Sequence, residues 1–219
     1  MIGKKMKINK NSYLDKKRLK IINISKTIII RNGWNKNLFN IISVEKKINS
    51  SELYILFPNG YKDMLSIILK NLNKDFEKQL NRSNFKKLPL HKRIKIIVMG
   101  KIAFIDLEKD FYKKIFYYLL LPNNYKLLSS QIYKSVDSIW HIAMDQSTDF
   151  NYYTKRIILS GIYSSTLFHF FNNNNIDETE EKLDFLLSKV SKIPSIKKNI
   201  YSLGQKIPSF FKFFNKYSF

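Results

Sequence analysis

Apolar residues recur along most of the chain at intervals of three and four, the period of a helix that buries one face. Ile21, Ile22, Ile24, Ile28 and Ile29 predict an amphipathic helix from about Lys16 to Arg31. Ile is a weak helix former, so periodicity rather than propensity carries this helix. Asn32-Gly33 is a stop signal. A short helix follows from about Asn35 to Val44, and Asn49 or Ser50 caps another that ends before Pro58. Asn59-Gly60 marks a turn. Met64, Leu65, Ile68, Leu72 and Phe76 give one apolar face to a helix from Tyr61 to about Asn81. Pro89 suits the first turn of the next helix, which runs to about Leu107 on Ile94, Ile97, Val98, Ile102 and Ile105. Glu108 to Leu121, Tyr125 to Asp145 and Thr148 to Phe171 read as three more. Asn172 to Asn175 is a polar loop, and Asp177 to Ser191 is a helix whose acidic first turn suits the helix dipole. Neither a strand hairpin nor a repeat is visible, so the fold class is all-α.

Composition narrows the picture. The 219 residues favour one domain with a smaller lobe. With 44% hydrophobic and 15% aromatic residues there is material for a core, which argues against disorder. The absence of Cys excludes disulfides, thiolate metal sites, iron–sulfur clusters and a Cys nucleophile. Met1 to Lys20 lacks the apolar stretch and small-residue cleavage site of a secretory signal. No run reaches the roughly 18 apolar residues of a membrane-spanning helix. A net charge of +22 suggests a polyanionic partner, nucleic acid or an anionic membrane. Yet Lys, Asn and Ile make up roughly two-fifths of the chain, the signature of A- and T-rich codons, so much of that charge is compositional. The five arginines, Arg18, Arg31, Arg82, Arg93 and Arg156, are the more informative cations.

Candidate chemistry concentrates in the second half. Asp149, Tyr152, Tyr153 and Arg156 fall at i, i+3, i+4 and i+7, one stripe of a helix. Two aromatics framed by opposite charges have the composition of a partner-binding hot spot. The alternative is an ordinary helix start in which Arg156 pairs with Asp149. Ser160, Gly161, Ser164 and Ser165 are small residues that allow close helix approach or floor a cavity. Leu119, Leu120, Trp140, Ile162 and Phe168 are candidate walls of a lipid pocket, or plain core. On a helix from Ser209 onward, Phe210, Phe211, Phe213, Phe214 and Tyr217 gather opposite Lys212 and Lys216, the pattern of an in-plane membrane helix.

Catalytic signatures are missing. There is no Glu-x-x-His, no phosphate loop and no Gly-x-Ser-x-Gly. Asp137, His141 and Asp145 are spaced by four, but a metal site is not expected from spacing alone. The expectation is a non-catalytic protein without cofactor or metal.

Two resemblances are visible. Ile21 to Leu69 resembles the N-terminal part of TetR-type regulators, most specifically in Leu53-Tyr54-Ile55-Leu56-Phe57-Pro58. In that family the helix around Ser50 to Leu56 enters the major groove. Here it offers Ser50, Ser51, Glu52 and Tyr54 without Arg or Lys, which suits phosphates poorly. The stretch from Leu119 to Ser165, above all Ser147-Thr148-Asp149-Phe150-Asn151-Tyr152-Tyr153-Thr154-Lys155-Arg156, resembles the ubiquinone-biosynthesis accessory family that is ninth in the Coq series. Tyr152 stands where that family usually has Trp, and Met144 where it has Gly.

This resemblance implies a TetR-like bundle of about nine to ten helices that binds isoprenoid quinone intermediates and phospholipid. It implies assistance to a di-iron hydroxylase, docked at the Asp149–Arg156 patch, and a C-terminal membrane-binding helix. The expected segments are a basic extension (1–20), a helix-turn-helix part (21–82), a lipid-binding helical domain (83–193) and the amphipathic end (194–219). A homodimer is expected, on the cytoplasmic face of a bacterial inner membrane or the matrix side of the mitochondrial inner membrane. Nucleic acid is not the expected partner. The alternative function is a TetR-like DNA-binding regulator.

Overall fold

A computed structural model describes residues 2–80, 87–145, 149–173 and 175–191. Those residues form nine α-helices and one 3-10 turn, with no strand. The helices are α1 (Ile2–Asn32), α2 (Leu38–Lys46), α3 (Ser50–Leu56), α4 (Tyr61–Gln79), α5 (Leu90–Asp106), α6 (Lys109–Leu119), α7 (Tyr125–Ile142), α8 (Asp149–Asn172) and α9 (Ile176–Ser191). The chain divides into two compact units. The first takes the chain through Gln79 and again from Ile105 to Tyr125; the second takes Leu80 to Phe104 and the chain from Lys126 onward.

In the first unit, α1 begins well before the apolar stripe that predicts it. Residues 2–12 are mostly polar and carry no period. Once a helix is nucleated, each added residue gains a hydrogen bond, and lysine propagates well. The helix stops where Gly33 turns to a left-handed φ of 71° and its N–H bonds Ile29 O at 2.8 Å. Ile28, Ile29, Leu38, Ile42, Leu53 and Met64 form the buried centre. Phe39 packs edge-on against Phe57 at 5.9 Å.

Short α3 is held at both ends. The Asn49 side chain caps it by accepting from Ser51 N at 2.9 Å. Arg18 Nε donates to Leu56 O at 2.8 Å, satisfying a carbonyl that the helix end leaves open. Lys17 pairs with Glu52 at 2.8 Å. What α3 leaves outward is therefore Ser50, Ser51, Tyr54 and Ile55. Lys26 of α1 holds Glu108, just before α6, at 2.5 and 2.7 Å.

In the second unit α5, α7, α8 and α9 bury Ile97, Val98, Val136, Ile139, Phe170 and Leu183. Lys95 of α5 bridges Glu180 and Asp184 of α9, both at 2.7 Å. Hydrogen bonds that the Lys95 amine donates to Asp184 and Glu180 hold it above its ordinary pKa. His169 of α8 lies 3.4 Å from the Thr179 hydroxyl of α9.

Candidate functional site at the start of helix α8

The junction of α7 and α8 lies within the second unit. Helix α7 ends in a Schellman turn, with Met144 N bonding His141 O at 3.0 Å and Asp145 N bonding Trp140 O at 3.2 Å. This geometry puts Met144 at a φ of 57°, left-handed space that glycine occupies without steric cost. The turn thus forms with Met144 in place. Met144→Gly is expected to stabilise the protein by roughly 1 kcal/mol, read as a higher urea midpoint at unchanged slope. The side chain of Asp145, next in line, receives Lys155 Nζ at 2.6 Å and ties the turn to α8.

Two turns into α8, Arg156 is 7% exposed. Its Nε and Nη2 reach Asp137 Oδ1 of α7 at 2.8 and 2.7 Å. The guanidinium carbon lies over the Tyr152 ring, 3.2 Å from its centre. The Tyr152 hydroxyl donates to the same Asp137 oxygen at 3.3 Å. Burial, hydrogen bonding to Tyr133 and the charge of Asp137 push the Tyr152 hydroxyl up to about 12, so it stays a donor. Arg156 also closes on its own helix, donating to Tyr152 O at 3.3 Å. Asp137, Tyr152 and Arg156 thus act as a clasp between α7 and α8.

In the plain helix-start reading Arg156 pairs with Asp149; the partner that the structure describes is Asp137 of α7. The side chain of Asp149 lies outside the described residues. Tyr153 is 46% exposed, its ring edge-on to Tyr152 at 5.2 Å. Ile157, one turn on, is also exposed. Of the four stripe residues, Tyr153 faces outward while Tyr152 and Arg156 turn toward α7. Ile157 belongs beside Tyr153; its i+4 spacing is the signal for it in the sequence.

The five candidate pocket walls do not come together in one unit. Leu119 and Leu120 stand at the end of α6 in the first unit, Leu119 buried and Leu120 exposed. Trp140 and Ile162 are core of the second unit, while Phe168 is 55% exposed. Helix α8 is apolar around much of its circumference, so spacing alone did not identify its buried side. Gly161 does not mark a close approach either. A Cβ on Gly161 would meet nothing within 4 Å. Ser160 turns its hydroxyl back to Arg156 O at 2.7 Å. Among the described residues no three His, Asp or Glu side chains gather as for a metal. Asp137 and Asp145 are committed to Arg156 and Lys155. Phe210, Phe211, Lys212, Phe213, Phe214, Lys216 and Tyr217 lie outside the described residues.

Residues 125–197, a stretch that contains α7, α8 and α9, match the COQ9 family model. The chain is 36% identical over 91 residues to the mitochondrial ubiquinone biosynthesis protein COQ9 of Rattus norvegicus, covering 41% of this chain and 29% of that protein. It is 40% identical over 73 residues to the Homo sapiens COQ9, covering 33% and 23%. It therefore aligns with less than a third of the length of these relatives. Among solved structures, a TetR transcriptional regulator from Nitrosomonas europaea is similar over 80% of this chain and 97% of that one. Its TM-score is 0.62 at 14% identity, which shows a TetR-like fold. The COQ9-matching segment holds the whole Asp137–Tyr152–Arg156 clasp and the exposed Tyr153 and Ile157.

Proposed function

We propose that this chain is a non-catalytic accessory protein of ubiquinone biosynthesis. It shelters an isoprenoid quinone intermediate at a membrane and passes it to the di-iron demethoxyubiquinone hydroxylase. The observation that carries this reading is the coincidence of the COQ9-matching segment with the one clasped, aromatic surface described at the start of α8. Shelter is physically required, because each CH₂ of a polyprenyl tail costs about 0.8 kcal/mol to expose to water. Catalysis then belongs to the partner. None of the described helices is long and apolar enough to cross a membrane, so docking falls to the Phe- and Lys-bearing stretch 209–217. That these relatives are mitochondrial proteins favours the matrix side of the mitochondrial inner membrane over a bacterial one. Phospholipid is a second ligand of the same apolar shelter, and the working assembly is a homodimer.

Within this reading Tyr153 contacts the hydroxylase and Arg156 positions it. Tyr153→Ala is expected to weaken hydroxylase binding by about tenfold or more, since a central aromatic carries a large share of interface energy. An exposed position costs little stability when truncated, so melting should shift by less than about 0.5 kcal/mol. Titration of the purified hydroxylase against wild type and variant, beside a thermal melt, checks both halves. Equal affinities would remove this surface from the interface.

A further inference from the structure

In the first unit, short α3 turns outward a face that the core does not use. Ser51, Tyr54 and Ile55 stand on it at i, i+3 and i+4, with Pro58 exposed just beyond. Ile55 is 71% exposed and Tyr54 50%. Tyr54 lines a shallow hollow with Lys36, Pro58 and Tyr61. The Ser43 and Ser50 hydroxyls meet at 3.0 Å, and next to Ser43 the exposed Val44 lines an apolar groove on α2 with Ile41. Around these apolar groups the carboxylates are all committed. Glu45 is held by Arg31, Glu52 by Lys17 at 2.8 Å, and Asp63 accepts from Asn59 N at 2.8 Å. The lysines are not. Lys36 at the hollow, Lys46 and Lys47 just after Val44, and Lys62 beside Tyr61 meet no carboxylate among the described residues.

We propose that the α3 face docks on an anionic lipid surface, with Ile55 and Tyr54 entering the headgroup boundary and Lys36, Lys46, Lys47 and Lys62 meeting lipid phosphates. Exposed apolar side chains among unpaired cations are the composition of an interfacial membrane contact. Tyrosine suits that depth, because its ring is apolar and its hydroxyl stays wet. Lysine is a point charge on a flexible stem, which follows a disordered layer of headgroups without the fixed geometry that arginine imposes. Duplex DNA is the poorer match. Bases are read by Arg, Lys, Asn or Gln, and α3 turns none of these outward. An aliphatic tip such as Ile55 gains nothing beside phosphates in water. The inference rests on the membrane location proposed above and adds a contact in the first unit, separate in sequence from 209–217.

The test uses the full chain, which has no Cys of its own, so Ile55→Cys carries a single nitrobenzoxadiazole label. Gln79→Cys, at the far end of α4 and about 27 Å of helix from Tyr61, is the control. Both are bound to phosphatidylcholine–phosphatidylserine vesicles that hold nitroxide-labelled lipid, and binding is read separately by flotation. The label at position 55 should shift to the blue and lose most of its emission to the nitroxide. The label at position 79 should keep its emission in water. Lys36→Gln combined with Lys62→Gln should weaken partitioning by roughly fivefold for each lysine removed, and leave binding to pure phosphatidylcholine unchanged. A label at position 55 that reads water on vesicle-bound protein overturns the proposal and leaves docking to 209–217. A label blind to vesicles but shifted by duplex DNA also overturns it and gives the face to nucleic acid. A chain that does not float with vesicles at all overturns the membrane location itself, a distinct outcome. Should labelled Ile55→Cys lose its helical circular dichroism, Ser51→Cys, one turn earlier on the same face, carries the label and is judged by the same results.

Discussion

Arg156→Glu should lower stability by about 2–3 kcal/mol, a fall of roughly 5–10 °C in melting temperature. The substitution removes a guanidinium that Asp137 meets at 2.7 and 2.8 Å and puts a second carboxylate in its place. It also uncovers the Tyr152 ring on which the guanidinium stacks. Asp137 keeps some access to water, which holds the penalty below that of a fully enclosed charge. Arg156→Lys keeps the charge but loses the planar fork and the stacking, so it should fall between. Loss of hydroxylase binding in Arg156→Glu would follow from a misplaced α8, which is why Tyr153→Ala is the sharper probe of contact. A melt of Arg156→Glu within 1 °C of wild type would show that the clasp carries no stability.

Removing Pro208 to Phe219 has the largest effect expected on location. Four phenylalanines and one tyrosine fall within Phe210 to Tyr217. Each aromatic ring moved from water to an apolar phase contributes on the order of 1–2 kcal/mol. Lys212 and Lys216 add about 1 kcal/mol each beside anionic lipid. Part of that total is offset by the cost of immobilising a chain at a surface, so a loss of at least about a hundredfold in liposome partitioning is expected. High salt should weaken wild-type binding only in part, because the aromatic share is not screened. Undiminished flotation of the truncated chain would move membrane docking to another surface.

Much of this was legible in the sequence, and the exceptions share a cause. Helix number, the Asn49 cap and the turns at Asn32-Gly33 and Asn59-Gly60 are local features, and local rules predict them. The early start of α1 was not, since propagation beyond the apolar stripe leaves no periodic mark. The Arg156 partner is nineteen residues away on another helix, and a stripe argument considers only one helix. The candidate pocket residues fall in two different units because residues 105–125 belong to the first, which only the three-dimensional contacts reveal.

The central claim is that the folded protein shelters an isoprenoid lipid. Mass spectrometry of lipids retained by the purified full chain, expressed in a quinone-producing host, tests it most directly. An isoprenoid quinone or its biosynthetic intermediate, with phospholipid, is the predicted result. A protein that carries neither, and takes up neither from liposomes, would contradict the account.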